Sequence, residues 1–193
     1  AEQIADARDT EFRDAISIRL MLYCLDLESG ELLWERTLYE GNPAVGRHLK
    51  NSFASETPVT DGTQLYVYFG AIGLIAALDF DGGELWRKEI GTFNTMQEMA
   101  TASSPALHKD RLYVLNDNTT RSFLTALDTA TGDEVWQVDR QEPGHTWATP
   151  LVWENRLRTE IVTSATGRVR SYGLDGSLLW ELSGMSLLTI PSP

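Results

Sequence analysis

The chain has 193 residues, of which 42% are hydrophobic and 23% charged, a composition typical of a folded protein with one domain or slightly more. It has 16 Lys and Arg residues against 28 Asp and Glu residues, and a net charge of −12 disfavours nucleic acid and anionic membranes as partners. The single cysteine, Cys24, excludes an intrachain disulfide framework, a cysteine zinc cluster and a Cys-x-x-Cys redox pair.

The first 15 residues are polar and acidic, and we expect this lead to be helical or disordered. They lack the basic head and apolar middle of a signal peptide, so the sequence alone leaves the compartment unknown. All later apolar runs are far shorter than the roughly 20 residues that a membrane-spanning helix needs, so no transmembrane segment is predicted. From residue 16 onward, short strand-like runs alternate with turn residues, which predicts an all-β fold.

One phrase recurs four times along the chain, and each copy places a glycine four residues before a tryptophan. The tryptophans are separated by 52, 50 and 44 residues. A second marker, a small hydroxyl residue followed by proline, recurs at intervals of 47, 45 and 43 residues. Two independent markers with nearly one period predict a repeat protein. The structural repeat positions are Asp26, Gly30, Trp34, Asp79, Gly82, Trp86, Asp128, Gly132, Trp136, Gly176 and Trp180.

Each complete unit reads as four strands, because runs rich in Val, Ile, Leu and Tyr are separated by Gly and Asp turns. Four-stranded units of this length are typical of the blades of a β-propeller. We predict one propeller domain. It contains a partial blade at residues 16–40, three blades at 56–91, 101–140 and 148–183, and the start of a further blade at 189–193. We expect strands at 58–60, 64–69, 73–79 and 84–90, at 105–107, 111–115, 122–128 and 134–138, and at 150–153, 158–163, 168–174 and 178–182.

The third copy of the phrase, with Asp128, Gly132 and Trp136, resembles the repeat of the quinoprotein-like (pyrroloquinoline-quinone-type) β-propellers. This group includes the quinoprotein alcohol dehydrogenases and the propeller lipoprotein of outer-membrane protein assembly. The resemblance covers residues 16 to 193 and implies a ring of eight blades, of which this chain holds about half. It also implies that each tryptophan lies flat between neighbouring blades. The fourth copy departs from the pattern, since Gly173 replaces the aspartate.

The segments that enter each innermost strand, 46–56, 91–104, 142–149 and 184–189, are predicted to line one mouth of the central channel. They are irregular and polar, and they contain the aromatic, basic and oxygen-bearing side chains that a quinone cofactor with Ca²⁺ would need. Three scattered histidines give no metal signature, and no catalytic motif is present. The candidate ligand-binding residues are Arg47, His48, Lys50, Asn51, Glu56, Glu98, His145 and Trp147.

A repeat devoted to packing, without a catalytic constellation, favours a non-catalytic binding or scaffold module with a protein partner and no cofactor. The resemblance implies a periplasmic or other extracytoplasmic place in the bacterial cell envelope, and open blade edges would permit self-association. One alternative is a fragment of a pyrroloquinoline-quinone-dependent dehydrogenase with calcium, although the lone Cys24 cannot supply the adjacent cysteines of those enzymes. A further alternative is a carbohydrate-binding or hydrolytic propeller.

Overall fold

The computed structural model describes residues 17–48, 51–140, 146–186, 190 and 192–193. Its described elements are strands and one short 3₁₀ helix, Met96–Glu98, so the all-β prediction is confirmed. The polar lead, and residues 189 and 191 of the segment 189–193, lie outside the described residues. The first sheet contains β1 (Ile18–Leu25) and β2 (Leu32–Gly41).

Three four-stranded antiparallel meanders follow, so the described chain forms about four blades of a propeller, as predicted. The first sheet pairs only two strands, which match the last two strands of each later sheet. The second sheet contains β3 (Val59–Thr60), β4 (Leu65–Phe69), β5 (Leu74–Leu78) and β6 (Glu84–Glu89). The third contains β7 (Ala106–His108), β8 (Arg111–Asn116), β9 (Phe123–Asp128) and β10 (Glu134–Asp139). The fourth contains β11 (Leu151–Glu154), β12 (Thr159–Ala165), β13 (Arg168–Tyr172) and β14 (Leu178–Ser183).

The core lies between consecutive sheets, in three packed layers that we call the first, second and third seams. Every residue of β5 is buried, because sheets cover both of its faces. In the second seam, Tyr66 and Trp86 of the second sheet pack with Leu112 and Leu127 of the third. The hydrophobic side chains of the inner strands are therefore buried between neighbouring sheets.

The repeat tryptophans join the sheets, which explains the first marker of the sequence. Each of the first three donates its indole N–H to a backbone carbonyl in a turn of the following sheet, at 2.8 to 2.9 Å. The pairs are Trp34 with Phe80, Trp86 with Thr129, and Trp136 with Leu174.

The repeat glycines are required for two reasons, their backbone angles and the neighbouring rings. Gly132 has a φ of +72°, in the left-handed region that glycine adopts without strain. A Cβ at Gly132 would also lie 2.5 Å from the ring of Trp86. Gly82 and Gly176 meet Trp34 and Trp136 in the same way, at 3.0 Å. Any side chain at these glycines would therefore push the two sheets apart.

The repeat aspartates hold the same turns from within. Asp128 Oδ1 accepts hydrogen bonds from the backbone N–H groups of Ala130 and Thr131, at 2.9 and 3.2 Å. In the fourth sheet, where Gly173 replaces the aspartate, Asp175 Oδ1 accepts instead from the backbone N–H of Ser177, at 3.0 Å. The fourth turn thus keeps a carboxylate, although its sequence departs from the pattern.

The hydroxyl residue before each repeat proline links the innermost strands, which explains the second marker. In what we call the hydroxyl ladder, the backbone N–H of one such residue donates to the hydroxyl of the next. The distances are 2.8, 3.1 and 3.3 Å for Thr57 to Ser104, Ser104 to Thr149, and Thr149 to Ser192.

A buried ion pair that the sequence did not reveal lies in the third sheet, at its contact with the fourth. Arg140 donates to both carboxylate oxygens of Asp117, at 2.8 and 3.2 Å, and their side chains are 1% and 5% exposed. The same guanidinium donates to the hydroxyls of Thr163 and Tyr172 in the fourth sheet, at 2.8 and 3.0 Å. These bonds satisfy the buried charge and fasten the third sheet to the fourth.

Candidate functional site

Two mouth loops converge on the segment 98–101, which belongs to the loop between them. The amide of Asn51 donates to the carbonyl oxygen of Met99 at 2.6 Å. From the other side, the indole N–H of Trp147 donates to the carbonyl oxygen of Ala100 at 2.9 Å. Two of the candidate ligand-binding residues therefore hold a neighbouring loop in place.

Three other candidates flank this segment. Arg47 donates to the carbonyl oxygen of Asn51 at 2.8 Å, and its guanidinium lies 5.6 Å from the centre of the Phe53 ring. The backbone carbonyl of His48 accepts from the N–H of Asn51 at 2.9 Å. Glu98 ends the 3₁₀ helix with a φ of +56°, which a non-glycine residue seldom adopts. The remaining candidates, Lys50 and His145, lie outside the described residues.

Glu56 is the candidate with the most unusual environment, because its carboxyl is buried and only 8% exposed. Oε1 accepts hydrogen bonds from the Thr101 hydroxyl at 2.5 Å and from the Gly70 N–H at 3.2 Å. Oε2 is buried, and no described residue offers it a hydrogen bond. Burial raises the pKa of Glu56 to about 7, although these hydrogen bonds favour the ionised form.

The repeat shows how exceptional this carboxyl is. Two residues before the repeat proline, later units have Ser103 and Ala148 where the first complete unit has Glu56. The Ser103 hydroxyl donates to the Ala148 carbonyl at 2.9 Å, so this position normally closes a small, neutral contact between sheets. Alignment of the units singles out Glu56, whereas its contact with Gly70 follows from the tertiary fold and left no signal in the sequence.

The space around Glu56 is filled by protein. A Cβ at Gly70 would lie 2.3 Å from the Thr101 hydroxyl and 2.9 Å from the ring of Tyr68. The Tyr68 hydroxyl accepts from the Asn116 amide at 3.0 Å, and burial, with the Glu56 charge next in importance, raises the pKa of Tyr68. Glu56 is therefore a packed, titratable group and not the wall of an open cavity.

A calcium-quinone site would require several oxygen ligands that converge on one point. Ca²⁺ takes about six to eight oxygen ligands. Within the described ranges, no three His, Cys, Asp or Glu side chains come together in a metal-binding group. The Asn51 side-chain oxygen accepts from the backbone of Ser52 at 2.8 Å and from the Ser55 hydroxyl, so it is already engaged.

In the part of the chain that the structure describes, no helix has the length and apolar character needed to cross a membrane. Cys24 is a free thiol of intermediate exposure.

Successive four-stranded sheets, joined by a tryptophan that lies against a turn glycine, define this protein as a β-propeller of the quinoprotein-like class. The family model described as outer membrane protein assembly factor BamB matches residues 71–192, and the chain belongs to that family. No curated protein sequence matches the chain.

Solved structures agree with this assignment at the level of the fold. A europium-containing methanol dehydrogenase is similar with a TM-score of 0.62 and 16% identity, over 89% of this chain and 40% of the enzyme. BamB from Moraxella catarrhalis has a TM-score of 0.55 and 16% identity, over 90% of this chain and 56% of BamB. The quinohemoprotein alcohol dehydrogenase of Comamonas testosteroni has a TM-score of 0.53 and 11% identity, over 88% of this chain and 34% of the enzyme. The chain thus spans about a third to a little over half of each of these proteins.

Proposed function

We propose that this chain is part of a non-catalytic propeller scaffold that binds a protein partner in the bacterial cell envelope. The model of its family carries the description outer membrane protein assembly factor BamB. This description supports both the envelope location and the protein partner. A fold shared with dehydrogenases does not by itself imply their chemistry, because function depends on the site.

The proposal rests on one observation, which is that the candidate residues of the mouth make contacts within the protein. Asn51 and Trp147 donate to backbone carbonyls of the loop between them, and Glu56 is packed beneath that loop. These contacts fix the shape of a polar surface. A rigid surface of this kind suits protein recognition, since little conformational entropy is lost on binding.

The exposed Arg47 lies at the edge of this surface, which makes it suitable for a test by charge reversal. The full chain, immobilised, would be incubated with cell-envelope extract and its partners identified by crosslinking and mass spectrometry. Arg47→Glu should reduce recovery of the main partner at least tenfold. Lys109→Glu, the same charge change in the β7–β8 turn at the opposite end of the sheet, should leave recovery unchanged. Recovery of no specific protein, or equal loss with both variants, would contradict the proposal.

A fragment of a quinone-dependent dehydrogenase is the second candidate, favoured by the fold likeness to the methanol dehydrogenase. The full chain would be titrated with pyrroloquinoline quinone and Ca²⁺. Saturable quenching of tryptophan emission, lost in Trp147→Phe and accompanied by alcohol-dependent dye reduction, would support this candidate over the scaffold. The carbohydrate-binding or hydrolytic alternative has no specific contact in its favour.

A further inference from the structure

The mouth segment 98–101 has a strained backbone. Glu98 and Ala100 have φ angles of +56° and +60°, in the left-handed region that residues other than glycine seldom adopt. Within the described ranges, the one further non-glycine residue with a positive φ is Lys109, which lies in a turn. A backbone of this kind persists only where surrounding contacts hold it in place. The closed form of segment 98–101 therefore depends on its neighbours.

Hydrogen bonds to the flanking loops and to one buried side chain hold this segment. Asn51 and Trp147 donate to its backbone carbonyls from the two sides. Beneath the segment, the Thr101 hydroxyl donates to the carboxyl of Glu56. Of these partners, Glu56 is the one whose charge changes with pH. The state of this carboxyl is thereby linked to the conformation of the segment above it.

An ionised Glu56 is poorly stabilised while the segment is closed. Oε1 accepts hydrogen bonds from Thr101 and Gly70, whereas Oε2 is buried and receives none from a described residue. A buried carboxylate needs a full set of donors or a positive charge to offset the loss of water. Burial accordingly raises the pKa of Glu56 to about 7. The closed form therefore favours the protonated carboxyl.

The described neighbours of Glu56 supply no compensating cation. The titratable side chain that faces it from the second sheet is Tyr68, whose own pKa is raised by burial first and by the Glu56 charge second. The charged residue of the segment itself, Glu98, is acidic. In the loop that carries Glu56, the exposed Arg47 donates to the carbonyl oxygen of Asn51. No charged side chain of the described residues is among the groups that shift the pKa of Glu56.

The segment 98–101 is the part of this environment that can move. Tyr68 and Gly70 are buried at the end of β4, where neighbouring sheets cover the second sheet. Thr101, by contrast, belongs to the loop. Release of its hydrogen bond would admit water to the carboxylate and would let Glu98 and Ala100 return to unstrained angles. Opening thus relieves the buried charge and the backbone strain together.

We propose that Glu56 and segment 98–101 form a pH-sensitive switch, in which the segment is closed while the carboxyl is protonated and opens to water when it ionises. The equivalent positions in the next two units, Ser103 and Ala148, cannot ionise, so the switch is specific to this part of the mouth. The shape of the mouth then changes with proton concentration near neutrality. The inference concerns the segment alone and does not depend on what the mouth binds.

The test measures hydrogen exchange in the full chain between pH 5 and pH 8, in a chelating buffer that removes free cations. After correction for the intrinsic pH dependence of exchange, protection of the Met99 and Ala100 amides should fall at least tenfold over this range, because opening restores an ordinary pKa to the carboxyl. At pH 8 the amides of β8 should stay at least tenfold better protected than these, since the opening is local. The indole N–H signal of Trp147 should shift with a midpoint near pH 7, whereas that of Trp86, bonded within the second seam, should not.

Glu56→Gln cannot ionise, so its segment should be as well protected at pH 8 as that of wild type at pH 5. Glu56→Ser, which copies Ser103 of the next unit, tests the same point if glutamine disturbs the packing. Glu89→Gln, at an exposed position of β6, is the matched control and should behave like wild type. Equal protection of the segment at both pH values, a pH dependence that persists in both Glu56 variants, or a segment that exchanges only together with β8 would overturn the proposal.

Discussion

Replacing Glu56 by glutamine should change how the stability of the protein depends on pH. The pKa of Glu56 is raised from 4.5 to about 7 by burial, so the folded protein holds this proton more tightly than the unfolded chain does. The contribution to stability is therefore complete below about pH 4.5 and is lost as the pH rises through 7. Each pKa unit corresponds to about 1.4 kcal/mol, which gives a loss of about 3 kcal/mol by pH 8.

Glu56→Gln keeps an acceptor for Thr101 and Gly70 but cannot ionise. We expect the variant to match wild type at pH 4.5 and to be more stable by up to about 3 kcal/mol at pH 8. Urea unfolding, followed by tryptophan fluorescence at intervals between these values, measures the difference directly. Glu89→Gln, at an exposed position of β6, is the matched control and should leave the pH profile unchanged.

Two outcomes would refute this reasoning. A difference between Glu56→Gln and wild type that stays constant from pH 4.5 to 8 would show that the carboxyl has the same pKa in both states. If Glu56→Gln became less stable than wild type as the pH rises, the ionised carboxylate would be the form that the folded protein favours, for example because a cation binds it.

Three further predictions test the seams by urea unfolding. Gly132→Ala should cost about 2 to 4 kcal/mol, since its Cβ would strike the tryptophan of the preceding sheet, whereas Gly30→Ala, at the same φ of +72°, should cost only the backbone strain of about 1 to 2 kcal/mol. Equal losses would show that ring contact adds nothing. Arg140→Met should cost about 3 to 5 kcal/mol by removing the guanidinium from buried Asp117, and adding Asp117→Asn should restore part of the loss. Ser104→Ala removes one ladder acceptor and should cost about 1 kcal/mol, with no change expected in the slope of the unfolding transition.

Most of the fold could be predicted from the sequence because the structure is periodic. The marker glycines and tryptophans recur since each seam uses the same ring-to-turn contact, and the strands lie within a few residues of their predicted positions. Departures occur at sheet edges: β3 has only Val59–Thr60, although three residues were expected, because an edge strand next to Pro58 has fewer backbone partners.

The candidate site was less predictable, because contacts between loops do not follow the repeat. Polarity placed Asn51, Glu56 and Trp147 at one mouth, but it could not show that two of them donate to backbone carbonyls. The pairing of Arg140 with Asp117 joins residues 23 positions apart that occur in one seam, so no periodic signal marks it. A contact that occurs only once in the chain can be identified only from the three-dimensional structure.

The hydroxyl ladder has a consequence for how the mouth can vary. Its rungs lie beside the innermost strands, so they fix the spacing of these strands independently of the loops between them. A loop can be lengthened, shortened or exchanged while its two anchoring hydroxyl residues stay in place. The ladder therefore separates the spacing of the innermost strands from the sequence of the loops, and an exchange of loops should leave the blades intact.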